Sequence, residues 1–256
     1  MSFEHSVCRW CFENTPLFEL ADWCREFGIQ GIDLLTPEEA LEVAKFGRTC
    51  PISTFPTTEN GLGCIERAFN KIDHHAPLLE LYADYIPKCA EAGIKQVILF
   101  SGNRDGLDDQ TGLENCALGI EPLLKIAEEH DVTLVMELLN SRVDHPDYQC
   151  DHTEWGVALC EKLDSDHFKL LYDIYHMQVM EGDVIATIER HHKHISHYHT
   201  AGVPGRNEID ATQELYYPAI VKAIRKTGYQ GYIAQEFIPT WEQPKDALLD
   251  AIKRCS

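Results

Sequence analysis

Short β-rich runs alternate along this chain with longer stretches whose apolar residues recur at i, i+3, i+4 and i+7. Thr15, Pro16 and Gly28 frame the first such helix, whose stripe is Leu17, Leu20, Ala21, Cys24 and Phe27. Thr36 and Glu39 open the next with a capping box, and Gly47 closes it. Strands are expected at residues 7–12, 29–34, 51–55, 96–100, 132–138, 168–173, 194–200 and 231–237. Further helices are expected up to Ala92, across Pro122 (which should break or kink its helix), and near 151–163, 181–190, 212–227 and 242–254. Residues 56–71, with Gly61 and Gly63, read as a lid-like loop or a structured excursion. The spacing is about 30 residues, the size of one βαβ repeat. Eight such repeats in 256 residues predict an α/β fold, a closed (β/α)8 TIM barrel. No linker divides the chain, so residues 1–256 are expected to form a single domain. No Gly-x-Gly-x-x-Gly follows an early strand, which disfavours a nucleotide-binding sheet.

Charge narrows the partners. With 22 Lys+Arg against 42 Asp+Glu, the formal charge is -20. That field repels phosphate backbones and anionic membrane surfaces, so neither nucleic acid nor membrane is an expected partner. It suits a site that concentrates cations. The ten cysteines are scattered through a chain large enough to bury its own core, which points to reduced thiols and a cytoplasmic protein. The start, Met1-Ser-Phe-Glu-His, has no basic or apolar signal region, and no apolar run approaches a membrane span. Cys8-Arg-Trp-Cys11 has redox-pair spacing but falls in the first expected strand, where i and i+3 face opposite ways, so it reads as two core thiols. Trp10 and Phe12 end that strand, as core or as an aromatic wall over a substrate.

Barrel active sites lie at the C-terminal ends of the strands. The fifth expected strand ends in Glu137, the sixth in Asp173, the seventh in His199 and the eighth in Glu236. With Glu137 pointing inward, Val135 and Thr133 do too, while Leu134 and Met136 face the helices. His197 shares the parity of His199, one layer deeper. The eighth strand fits less well, because Gln235 is then directed at the helices. Three carboxylates and an imidazole at one mouth repel or desolvate one another unless a cation joins them. One divalent ion, Mn²⁺ or Mg²⁺ first, with Co²⁺, Fe²⁺ or Zn²⁺ as alternatives, is the expected cofactor. Of the histidines between 191 and 199, only His199 is expected to be a ligand; His191 and His192 end a helix, where imidazole suits the dipole.

Met136-Glu137-Leu138-Leu139-Asn140, Tyr172-Asp173-Ile174-Tyr175-His176, His197-Tyr198-His199 with Gly205-Arg206, and Gln235-Glu236-Phe237 resemble the xylose isomerase-like barrel superfamily. Within it the likeness is to the hydroxypyruvate isomerase and sugar phosphate isomerase/epimerase branch. The resemblance implies one metal held by Glu137, Asp173, His199 and Glu236, with His176 and Arg206 binding substrate oxygens. It implies an intramolecular isomerase on a small hydroxy-carbonyl compound, with hydroxypyruvate to tartronate semialdehyde the leading candidate. Glu137 and Glu236 are then the catalytic pair, moving a carbon-bound proton through an enediolate. Alternatives on the same scaffold are a ketose 3-epimerase, an inosose-type dehydratase and a non-catalytic sugar-binding barrel. A multi-zinc endonuclease is disfavoured by the charge. His199 stands where hydroxypyruvate isomerases often carry Gln and ketose 3-epimerases carry His, and Asn140-Ser-Arg142-Val-Asp144 has a spacing shifted from the epimerase pattern. The expected partner is a small molecule. A homo-oligomer is compatible with the sequence, which carries no interface signal.

Overall fold

A strand that is buried on both faces and followed by an amphipathic helix must bury that helix against the sheet, and this happens eight times around the molecule. The computed structural model describes residues 3–256; the two residues before Phe3, part of the expected domain and start, lie outside them. In chain order the elements are β1 (Glu4–Cys8), α1 (Leu17–Phe27), β2 (Gly31–Asp33), α2 (Pro37–Ala44), β3 (Ile52–Ser53), α3 (Ile72–Glu91) and β4 (Gln96–Leu99). Then follow α4 (Asp109–Glu129), β5 (Thr133–Glu137), α5 (Thr153–Leu163), β6 (Phe168–Asp173), α6 (Ile174–Met180), α7 (Val184–His191), β7 (Ile195–Thr200), α8 (Tyr217–Lys226), β8 (Tyr232–Gln235) and α9 (Pro244–Cys255). The strands form one parallel sheet in the order β2-β1-β8-β7-β6-β5-β4-β3. Its two ends meet where Leu34 N donates to Ile52 O and Thr54 N to Leu35 O, each at 2.9 Å, so the sheet all but closes into a TIM barrel.

Local chemistry accounts for the boundaries. The capping box at α2 forms in full, Thr36 Oγ1 accepting from Glu39 N and Glu39 Oε2 from Thr36 N. Gly28 ends α1 at φ 75°, a left-handed position that glycine reaches without a Cβ penalty. α8 buries Ile220, Val221 and Ile224 on one face, each worth about 1.5–3 kcal/mol when fully removed from water.

Several expectations are corrected. The first strand stops at Cys8 rather than Phe12, and Arg9–Phe12 forms a 3-10 turn whose last carbonyl accepts from Arg9 Nη1 at 2.6 Å. Cys8 and Cys11 are therefore not two positions of one strand; all ten cysteines are free thiols. Pro122 does not break α4, which runs through it; the carbonyl it leaves unpaired belongs to Leu118, an exposed residue that water can reach. An additional helix, α6, begins directly at the end of β6. Residues 201–216, where a helix was expected to begin at 212, are largely a loop. Residues 56–71 are an ordered excursion without helix or strand, tied by Thr58 N to Leu62 O and Gly63 N to Arg67 O.

Candidate active site

β5 and β6 end in Glu137 and Asp173, His199 is the penultimate residue of β7, and Glu236 follows β8 directly. The parallel register sets Asp173 beside His199. Glu236 N donates to Thr200 O at 2.9 Å, which extends the β7–β8 pairing by one residue and holds that carboxylate at the barrel rim. One ligating atom from each of Glu137, Asp173, His199 and Glu236 lies within 4.8 Å of the others. None of the four is more than 5% exposed. Among the described residues this is a buried cluster of a kind that can hold a metal ion. Gln235, as the alternation requires, faces outward, where its Oε1 accepts from Thr200 Oγ1 at 3.0 Å.

Each member is oriented from behind. Asp173 is both strand end and helix cap: Oδ1 accepts from His176 N at 3.2 Å and starts α6, leaving Oδ2 on the cluster side. His199 Nδ1 lies 2.9 Å from Glu236 Oε2 and 3.6 Å from Glu137 Oε1. Its Nε2 lies 3.4 Å from Asp33 Oδ2, and that same oxygen is 2.5 Å from His197 Nε2. Glu236 Oε1 accepts from the indole N–H of Trp10 at 2.7 Å. Arg206 Nη2 reaches Glu236 Oε2 at 2.6 Å and Asp173 Oδ2 at 3.3 Å, and its guanidinium stacks 5.0 Å from the Trp10 ring. The backbone of Arg206 is left-handed, φ 58°, a strained state for a side chain of this size. It is held by Arg206 N to Gly202 O and by Ile238 N to Arg206 O, at 2.9 and 2.7 Å.

The electrostatics record a shortage of positive charge. Burial, then repulsion from Glu236, raises the Glu137 carboxyl above its ordinary range. Burial, with Glu236 and Glu137 nearby, raises Asp173 further, against the pull of Arg206. Glu236 is held well below the carboxylate range: burial opposes its charge, but His199 and Arg206 outweigh it. His199 titrates well above an ordinary imidazole, because Cys8, Glu236 and Asp33 more than offset burial. Burial, then Arg206, pushes His176 well below one.

Above the cluster opens a cavity of about 310 Å³. Glu137, Glu236, Arg206, Thr54 and His145 give it polar lining, and Trp10, Phe55, Ile65, Phe100 and Leu139 form much of the apolar wall. His176 stands beside the cluster, Nε2 3.6 Å from Asp173 Oδ2. All six residues singled out from the sequence thus meet at one end of the barrel. Asp33 and His145 were not anticipated as parts of the site, and Trp10, expected as core or as an aromatic wall, lines the cavity. Asp33 carried a signal, since β2 also ends in an acid. Trp10 reaches Glu236 only because the chain turns after Cys8. His145 lies in a loop without a motif.

A parallel (β/α)8 barrel whose C-terminal rim gathers three carboxylates and an imidazole defines a recognisable class of protein. The sequence profile of the xylose isomerase-like TIM barrel family matches residues 21–255, and this chain belongs to that family. It is 36% identical over 129 residues to the 2-oxo-tetronate isomerase of Cupriavidus necator, half of this chain and 47% of that protein. It is 24% identical over 237 residues to a putative hydroxypyruvate isomerase of Homo sapiens, 93% of this chain and 80% of that one. The match thus spans about half the length of the first relative. A solved structure titled AP endonuclease, family 2, from Brucella melitensis superposes with a TM-score of 0.85 at 21% identity, over 96% of each chain, and shares the fold.

Proposed function

We propose that this chain is a metal-dependent isomerase of a small hydroxy-carbonyl compound, with hydroxypyruvate to tartronate semialdehyde as the leading reaction. The observation that carries the reading is the placement of Glu137 and Glu236, from β5 and the end of β8, on the same cavity. Two carboxylates on separate strands can serve two adjacent carbons of one small substrate.

The residues fit a divalent cation. Glu137 Oε1 is buried without a hydrogen-bond partner. His199 turns Nδ1 to the carboxylates while a second-layer carboxylate, Asp33, faces its other nitrogen, the arrangement that orients metal-binding imidazoles. Glu137, Asp173, His199 and Glu236 would hold the ion, and three oxygens with one nitrogen suit Mn²⁺ or Mg²⁺. When bound, it supplies Lewis-acid polarisation of a carbonyl and acidifies the neighbouring C–H.

The chain's own groups do the rest. One glutamate takes the carbon-bound proton at a carboxylate oxygen, the other returns a proton to the adjacent carbon, and the hydroxyl proton passes from the oxygen that becomes the carbonyl to the one that becomes the hydroxyl. Arg206, already paired to Glu236 and Asp173, presents its guanidinium to a substrate carboxylate or hydroxyl. His176 contacts a substrate oxygen. Trp10 and Phe55 line the cavity with apolar surface beside the reacting carbons. The apolar wall favours a short substrate over free ketohexoses: each additional hydroxyl left unpaired against Phe55, Ile65 or Phe100 costs about 1–3 kcal/mol.

A substrate panel tests this. The Mn²⁺- or Mg²⁺-loaded protein is assayed with hydroxypyruvate, 2-oxo-tetronate, free ketohexoses and an inosose. Turnover of the short acids is expected. Turnover of ketohexoses alone supports a 3-epimerase, product lighter by one water a dehydratase, and binding without turnover a sugar-binding barrel.

A further inference from the structure

The network behind His176 decides which ring nitrogen carries its proton. Asn140 Oδ1 accepts from the backbone amides of Val143 and Asp144, at 2.9 and 3.0 Å, so the carboxamide cannot be turned round without losing both bonds. Its Nδ2 therefore points the other way, to Asp144 Oδ2 at 2.5 Å and His176 Nδ1 at 2.7 Å. Asp144 is itself pinned as an acceptor by Tyr175 Oη at 2.8 Å. The backbone N–H of Asn140 converges on the same imidazole nitrogen at 3.1 Å. With two N–H groups directed at Nδ1, that atom has no place for a proton of its own, and the ring proton is on Nε2. Nε2 is fully buried, has no hydrogen-bond partner and stands beside the carboxylate cluster.

We propose that Asn140 is a positioning residue that holds His176 as the Nε2–H tautomer, so that the ring offers a donor to a carbonyl or developing alkoxide oxygen of the substrate. This deepens the isomerase reading and rests on it for the substrate's role. The opposite tautomer turns a lone pair toward that oxygen and repels it. A buried donor without a partner is costly to keep, and a substrate oxygen is the acceptor that satisfies it. Asn140 stands 36 residues from His176, so its amide acts on the ring only through the fold.

The test reads the tautomer directly. Long-range proton–nitrogen correlation spectra of ¹⁵N-histidine-labelled, Mg²⁺-loaded protein are recorded for the wild type, Asn140→Asp and the double variant Asn140→Asp with Asp144→Asn. The double variant exchanges amide and acid, so the pair keeps its charge and one oxygen still accepts from the loop amides. The expected wild-type spectrum shows Nδ1 unprotonated and Nε2 protonated. In the double variant a carboxylate oxygen replaces the carboxamide N–H at Nδ1 and outweighs the longer backbone N–H contact left there, the proton moves to Nδ1, and kcat with the best hydroxy-carbonyl substrate falls by at least about tenfold with KM little changed. A wild-type ring protonated at Nδ1 overturns the proposal. So does a folded double variant that retains the Nε2–H tautomer, or one that shifts tautomer with kcat unaltered. The spectra need no substrate, so failure of the tautomer assignment and failure of the isomerase reading are seen separately.

Discussion

Asp33→Ala removes a side chain that touches no substrate and lies outside the four proposed ligands, yet it should weaken cation binding. The Asp33 carboxylate is fully buried, with Oδ2 2.5 Å from His197 Nε2 and 3.4 Å from His199 Nε2. Burial opposes its charge, but His197 and then His199 hold it below the ordinary carboxylate range, so it is an anion at neutral pH. An imidazole backed by a carboxylate keeps its orientation and donates more strongly to a metal. Losing such a partner costs about 10–100-fold in affinity, or about 1.4–2.7 kcal/mol. The lost charge-assisted bond to His197 costs about 1.5–3 kcal/mol of stability, a fraction of the roughly 5–15 kcal/mol of a typical domain, so the variant stays folded. Asp33→Asn keeps one acceptor oxygen and should fall between variant and wild type. Calorimetric titration with Mn²⁺, alongside thermal unfolding of the same samples, gives both numbers. A folded Asp33→Ala that binds Mn²⁺ within twofold of wild type refutes the argument.

Arg206→Ala should mainly raise KM, because the guanidinium is cast as the contact to a substrate oxygen; steady-state kinetics in which neither KM nor kcat changes would remove it from that role. Asp173→Asn should weaken Mn²⁺ binding in the same titration. Chelation should abolish activity while leaving the circular dichroism spectrum intact, since the strand ladders and core do not depend on the ion; unfolding on chelation would make the ion structural. Burial, then Arg225, lowers His5 from 6.5 to about 4. A depressed folded value means the unfolded chain binds the proton first, so this contribution is intact above about pH 6.5 and is lost as pH falls toward 4. The loss is on the order of 2–3 kcal/mol. Urea unfolding of wild type and His5→Gln at pH 7.5 and 4.5 should show a smaller loss in the variant.

The tips of β5 and β6 were legible in the sequence because a buried parallel strand is mostly apolar, so the terminal Glu137 and Asp173 stand out against it. Glu236 stood out one residue beyond its strand, and His199 by its place near the end of a strand that also carries Ser196 and His197. The same rule applied to β2, Gly31-Ile32-Asp33, points to Asp33, but a three-residue strand offers little contrast. Val7 to Phe12 reads as one strand interrupted only by Arg9, and that single charge does not by itself mark the turn after Cys8. The break follows from the β1–β8 ladder, which ends at Val7 and Gln235. α6 was hidden because Asp173 is strand end and N-cap at once. The bond from Asn140 to His176 spans 36 residues and depends on an amide orientation that no pattern encodes.

The central claim is that one of Glu137 and Glu236 takes the carbon-bound proton and the other returns a solvent-derived proton to the adjacent carbon. Proton NMR of the Mg²⁺-loaded protein acting on hydroxypyruvate in D₂O tests it most directly. The account predicts deuterium in the tartronate semialdehyde formed by the wild type. Glu137→Gln and Glu236→Gln should each lose turnover by about 10²–10⁴-fold. At least one of them should still exchange a substrate carbon proton without forming product. Deuterium-free product from the wild type would mean that the same hydrogen is carried from one carbon to the other, by a single shielded base or as hydride, and near wild-type turnover by both variants would assign the base to another residue; either result contradicts the account.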